Sequence, residues 1–289
     1  MKKVSRRNFL KVSGAMAAAG ALAACGGSGA STPAASGAAS TSTAASVAAA
    51  GEDKFASLGD FTMTVGHAQP EGNPRFVSME QFAADVAEAT NGHVKIEVYG
   101  NGQLGTEKEM LEQVVAGTVQ GMRGGQFDFS PRLLMFTLPF LTNTRAQVTA
   151  LLQSDLAQKV CAEAEGETGT VIINLCDAGG YRQFSNSKHP IKAPADLKGL
   201  KMRTNGMKTI DMTFQAMGAT TTTIPYSDLY MGLKTGVADG QENPWVNVEG
   251  MKFYEVQKYF TEVNYQFHPD PFYVNAAWWN GLPEEYRDI

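Results

Sequence analysis

The chain has 289 residues, 43% of them apolar and 18% charged, which is enough for two modest domains around a real core. Its formal charge is −5, and no run of Lys and Arg occurs beyond the N-terminus. A nucleic-acid partner, which needs a basic face, is therefore excluded, and any anion must be held locally by a few arginines.

At the N-terminus, Ser5-Arg6-Arg7-Asn8-Phe9-Leu10-Lys11 carries the twin-arginine pattern of a bacterial export signal. The weakly apolar stretch 12–24 that follows is too short to span a bilayer. It ends in Leu22-Ala23-Ala24-Cys25, which resembles the lipobox of bacterial lipoproteins. That resemblance implies diacylation of Cys25, which becomes the mature N-terminus. Residues 1–25 read as signal and lipobox, and 26–57 as a flexible tether, Gly, Ala, Ser and Thr almost throughout as far as residue 50. The expected location is extracytoplasmic, anchored to the membrane through Cys25. Of the other two cysteines, Cys161 falls in a helical pattern and Cys176 at the end of an apolar strand. Export permits a disulfide, but the two read as buried thiols in one layer.

Phe61-Thr62-Met63-Thr64-Val65 alternates as a strand, and Phe76, Met79, Ala83, Val86 and Ala87 recur at helical spacing up to Asn91-Gly92. Residues 93–99 alternate again. Thr106 and Glu109 form a capping box ahead of Met110, Leu111, Val114 and Val115. One long helical pattern from 143 to about 165 leads into an apolar strand over 170–175. After Gly179-Gly180 a second unit begins, with strands near 181–186 and 200–204 and a helix over 207–217 stopped by Gly218. A strand near 221–224 follows, then a helix capped by Ser227 and ending at Gly236, and a strand-like 237–239. The order predicts an α/β fold with a largely parallel, layered sheet in two units.

Gly100-Asn101-Gly102-Gln103-Leu104-Gly105 matches the dinucleotide-binding pattern G-x-G-x-x-G between a strand and a helix. Against a cofactor role, Lys95 and Glu97 make one face of that strand wet, and the next strand ends at Arg123 rather than at a carboxylate. An exported α/β oxidoreductase using this turn is the alternative function. Other catalytic signatures are missing: there is no G-x-S-x-G, H-E-x-x-H or C-x-x-C. His67, His93, His189 and His268 show no metal spacing, and no cofactor is expected. A polar cluster stands out instead. Arg182 opens the second unit, Arg203 ends a strand, and Gln241-Glu242-Asn243-Pro244-Trp245 follows another. An arginine fork can grip a carboxylate through two parallel hydrogen bonds.

The stretches Asp196-Leu197-Lys198-Gly199-Leu200-Lys201-Met202-Arg203 and Gly236-Val237-Ala238-Asp239-Gly240-Gln241-Glu242-Asn243-Pro244, with Asn101-Gly102-Gln103-Leu104-Gly105 upstream, resemble the solute-binding proteins of TRAP transporters, DctP type. The resemblance runs from about residue 61 to the end and implies no enzymatic activity. It implies a two-lobed periplasmic-binding-protein-like α/β fold with a hinge and a ligand cleft between lobes, here 58–179 plus 269–289 and 180–268. It implies a small organic-acid ligand (a dicarboxylate, 2-oxo acid or sugar acid) passed to membrane-embedded, sodium-coupled carrier subunits. Residue by residue, Arg203 is implied as the carboxylate anchor, Arg182 as a second charged contact, Asn243 as the orienting amide and Tyr226 as the packing aromatic. Gln126 and His67 are the first-lobe candidates. Family members continue into long C-terminal helices that brace both lobes. Residues 282–289, with Pro283 and acidic residues, read as the first turn of such a helix, so the chain is expected to be shortened.

Overall fold

The computed structural model describes residues 53–127 and 129–289; the signal, Cys25 and most of the tether lie outside the described residues. One compact unit takes in Phe55–Arg287. Its strands are β1 (Phe61–Gly66), β2 (Val94–Tyr99), β3 (Gly121–Arg123), β4 (Thr170–Asn186), β5 (Lys201–Thr204), β6 (Thr220–Thr223), β7 (Gly240–Asn243) and β8 (Tyr259–Asn275). Its helices are α1 (Pro74–Ala89), α2 (Glu107–Ala116), α3 (Arg145–Leu152), α4 (Asp155–Thr168), α5 (Lys208–Ala216), α6 (Leu229–Lys234), α7 (Trp245–Gly250), α8 (Ala276–Gly281) and α9 (Glu284–Arg287).

Local chemistry accounts for the helix starts. Asn73 caps α1, its side chain accepting from the Arg75 backbone N–H, with Pro74 in the first turn. The capping box at α2 is formed, Thr106 accepting from the Glu109 backbone and the Glu109 carboxylate accepting in return. The single helix expected over 143–165 is two, α3 and α4, because Ser154 caps a new helix by accepting from the Ala157 N–H. The cap expected of Ser227 is absent: Asp228 occupies that position, and no side chain closes the turn.

The strands form one sheet in the order β2-β1-β3-β8-β4-β7-β5-β6. Its two ends are parallel, β1 with β2 and β3 at one and β5 with β6 and β7 at the other. The middle is antiparallel, through β3/β8, β8/β4 and β4/β7, so the sheet is mixed rather than largely parallel. The reason is β8, which the sequence reading missed. Val263-Asn264-Tyr265-Gln266-Phe267-His268 alternates apolar and polar residues, but Pro269 and Pro271 argue against a strand through that point, and from Tyr265 to Asn275 the polar residues are buried along with the apolar ones. The segments 170–175 and 181–186 are likewise one strand, β4. It changes register against β8 between Asp177 and Tyr181, around Gly179-Gly180.

Cores form on both sides of this long pair. Met63, Val65, Met79, Ile96, Phe272 and Val274 pack the β1/β2 end under α1. Met110, Phe127, Phe136, Phe184, Phe214 and Tyr265 belong to the largest cluster, which runs through the centre. Cys161 is buried on α4 and Cys176 half-buried on β4, and no disulfide joins them. An apolar groove of about 630 Å³ is lined among others by Leu138, Phe140, Ile191, Leu197, Met212 and Val263, and no arginine lines it. Among the described residues, no helix is long and apolar enough to cross a membrane.

Candidate functional site

Arg203 is the third residue of β5, and its side chain is 2% exposed. Its Nε donates to the Ile224 carbonyl at 2.8 Å, and no carboxylate among the described residues pairs with it. Burial pushes its pKa down to about 10, and Glu242 only partly opposes that shift. An arginine buried in this way is a cation awaiting compensation.

Arg182 is in the opposite situation. From β4 it forms a two-pronged ion pair with Glu242 on β7, Nη2 lying 2.7 Å from Oε1 while Nε contacts Oε2. Nη2 also donates to the Glu242 carbonyl at 2.8 Å and to Asn243 Oδ1 at 3.2 Å. Burial disfavours its charge, but the Glu242 carboxylate outweighs that and holds the Arg182 pKa above its ordinary range. The Tyr265 hydroxyl donates to Glu242 Oε2 at 2.6 Å. Arg182 is thus first a partner of Glu242, a residue the sequence reading quoted beside Asn243 without giving it a role.

Asn243 joins a chain of amides. Its Oδ1 also accepts from Asn247 Nδ2 at 3.2 Å, and its Nδ2 donates to Gln241 Oε1 at 2.6 Å. Asn247 Oδ1 accepts in turn from Asn73 Nδ2 at 3.3 Å, linking α7 to the start of α1 across the fold. Tyr226 follows β6, its ring edge-on to Phe253 with centroids 6.2 Å apart. Its hydroxyl is buried without a partner among the described residues. Burial raises its pKa, and Arg75, Arg203 and Glu107 all act on it electrostatically.

His67, just past β1, is fully buried and edge-on to Phe76. Its Nδ1 accepts from the Gln69 N–H at 3.2 Å, which puts the proton of the neutral ring on Nε2, an atom with no partner among the described residues. Burial, then Arg75 and Arg123, lower its pKa to about 4. Gln126 is buried, and its carbonyl accepts from the Tyr273 hydroxyl at 2.8 Å.

The sequence reading missed the residues beside His67. Arg75 lies 2.8 Å from Glu107 and 2.5 Å from Asp270, and these carboxylates together outweigh burial and raise its pKa. Arg123 donates to Ser78 Oγ at 2.7 Å and to the Asp177 carbonyl at 3.1 Å. Arg75 did leave a sequence signal. An arginine in the first turn of a helix opposes the helix dipole and calls for carboxylates nearby.

The glycine turn does not fit a dinucleotide. Gly100 serves packing, since a Cβ there would stand 2.3 Å from the Phe76 ring. Where a pyrophosphate would meet the N-terminus of α2, the first turn carries Glu107 and Glu109, and Thr106 already takes the Glu109 N–H.

With this geometry established, similarity to known proteins is specific. Residues 65–289 match the family model for bacterial extracellular solute-binding protein, family 7 (DctP), and residues 3–23 match that for the TAT (twin-arginine translocation) pathway signal sequence. The uncharacterized protein y4mM of Sinorhizobium fredii is 36% identical over 217 residues, covering 74% of this chain and 40% of that protein. The C4-dicarboxylate-binding periplasmic protein DctP of Rhodobacter capsulatus is 31% identical over 227 residues, covering 76% of this chain and 67% of that protein. Among solved structures, a TRAP periplasmic solute binding protein from Desulfovibrio salexigens with bound orotic acid superimposes with a TM-score of 0.75 at 32% identity. That match covers 79% of this chain and 74% of the other. The chain thus spans well under half of the first of these relatives and about two thirds to three quarters of the others.

Proposed function

The chain belongs to the bacterial extracellular solute-binding proteins of family 7, and on that premise we propose that it is the extracytoplasmic receptor of a TRAP transporter. It captures a small carboxylate and hands it to sodium-coupled carrier subunits in the membrane. The family is one of receptors rather than enzymes, and the match to a twin-arginine signal indicates an extracytoplasmic protein. Lipid attachment at Cys25 ties it to the membrane surface.

The observation that carries this reading is Arg203, a buried guanidinium with no carboxylate of its own among the described residues. In the proposed mechanism the lobes 58–179 plus 269–289 and 180–268 close about a hinge. The register change of β4 around Gly179-Gly180 supports a hinge at that crossing. Arg203 fixes the ligand carboxylate, while Arg182, held by Glu242, sets the Asn243 amide beside it. Tyr226 packs on the ligand, His67 donates through Nε2, and Gln126 supports the floor. An affinity near micromolar, about −8 kcal/mol, suits scavenging.

The test is a thermal-shift screen of organic acids on the full chain, followed by Arg203→Lys. Lysine cannot reproduce the two parallel hydrogen bonds of the fork. The variant keeps the charge but loses one charged hydrogen bond, which costs about 1.5–3 kcal/mol, so affinity should fall by roughly 10-fold or more. An acid that binds the variant unchanged removes Arg203 from the role of anchor.

A further inference from the structure

The buried charges around Tyr226 fall into two sets. On the β5/β7 side, Arg203 and Arg182 face a single carboxylate, Glu242. On the α1 side, Arg75 is clasped by Glu107 and Asp270, and Arg123 also acts on Asp270. Two guanidinium groups therefore meet two carboxylates on that side, which is electrically balanced. Among the described residues, the site holds one surplus positive charge, and it lies with Arg203. His67 and His268 are buried and neutral near pH 7, so they do not alter this balance.

Charge alone selects a monoanion. A dianion would carry a second carboxylate toward Glu107 and Asp270, where like charges in a site with little water cost several kcal/mol. The unpartnered atoms of the α1 side make a second, independent demand. Arg75 Nε, Arg123 Nε and His67 Nε2 are donors, Asp270 Oδ1 and His268 Nδ1 are acceptors, and the Tyr226 hydroxyl is both. All are buried with no hydrogen-bond partner among the described residues. A carboxylate only accepts and leaves Asp270 unsatisfied. A hydroxyl both donates and accepts, so it can serve Asp270 and Arg75 together.

We infer that the ligand is a monocarboxylate with a hydroxylated body, a sugar acid, whose carboxylate lies on Arg203 and whose hydroxyls lie against Arg75, Asp270 and His67. Glu107 and Asp270 are the specificity residues that reject a second carboxylate. This rests on the carboxylate-receptor reading above and narrows it.

Calorimetric titration of the full chain at pH 7 with gluconate, galactonate, butyrate, succinate and malate separates the possibilities. The tighter-binding of the two sugar acids is expected to exceed each of the other three acids by tenfold or more. Equal or tighter binding of succinate or malate, lost on Arg203→Lys, overturns the inference and leaves the receptor reading standing. Butyrate binding as tightly as a sugar acid overturns the need for hydroxyls. Absence of binding by all five acids overturns this inference, and absence of binding across the wider organic-acid screen overturns the receptor reading as well. In Glu107→Gln and Asp270→Asn, each checked for folding by its melting curve, the preference for sugar acid over malate should narrow about tenfold. A preference unchanged in both folded variants overturns the role given to these carboxylates.

Discussion

At the scale of the residue, the site is governed by what each buried charge is paired with. Arg182 and Arg203 are both buried, yet one is locked to Glu242 and the other donates only to a carbonyl. Removing either partner from the Arg182–Glu242 pair would strand a buried charge, which typically costs about 3–5 kcal/mol. The pair also fixes the Asn243 amide, which accepts from Arg182 Nη2. His67 offers a test through pH. Its pKa is about 4 in the fold against 6.5 for an ordinary histidine. The unfolded chain therefore takes up the proton first as pH falls. The stability tied to neutral His67 is complete above pH 6.5 and is lost between pH 6.5 and about 4, with an upper bound of about 3 kcal/mol. Urea unfolding of the wild type and of His67→Gln across this window should show a shallower loss in the variant. Equal slopes would mean that His67 is not held neutral by its surroundings.

At the scale of the element, β4 passes beneath α7 through Gly179, whose φ of +113° suits glycine alone. A Cβ at Gly179 would stand 2.1 Å from Val246 Cγ1, whereas at Gly180, with φ of +106°, it would meet nothing within 4 Å. The Asp177 side chain accepts from both glycine N–H groups at 2.8 Å and fixes the bend. Gly180→Ala should cost only backbone strain, about 1–3 kcal/mol, and Gly179→Ala should cost more because Val246 or α7 must also move. Denaturant midpoints of the two variants check the order. Equal losses would show that the approach of α7 to β4 is loose.

At the scale of the whole molecule, β4 and β8 join the two parallel ends of the sheet, and a hydrogen bond between Asn73 and Asn247 links the start of α1 to α7. A ligand gripped from both sides should then stabilise the entire fold. At a ligand concentration one hundred times Kd, the linkage amounts to about 2.7 kcal/mol. For a domain of this size that raises Tm by roughly 5–10 °C. A saturating ligand that leaves Tm unmoved would mean that binding does not engage the folded core.

Sequence by itself determined the features that depend on near neighbours. The Thr106–Glu109 box, the alternation of β1 and β2, the twin-arginine signal and the candidate pair Arg203 and Asn243 are all readable within a few residues. The resemblance to solute-binding proteins was equally legible, because it rests on short, specific stretches. Tertiary structure alone decided the mixed sheet, since β8 pairs antiparallel with β3 and β4, partners far from it in the chain. It alone decided that Arg182, 60 positions from Glu242, is already paired, and that Arg75, Glu107 and Asp270 converge from three elements. Whether a buried arginine binds a ligand or props up a wall depends on which carboxylate the fold brings to it, and that choice is made by contacts far apart in the chain.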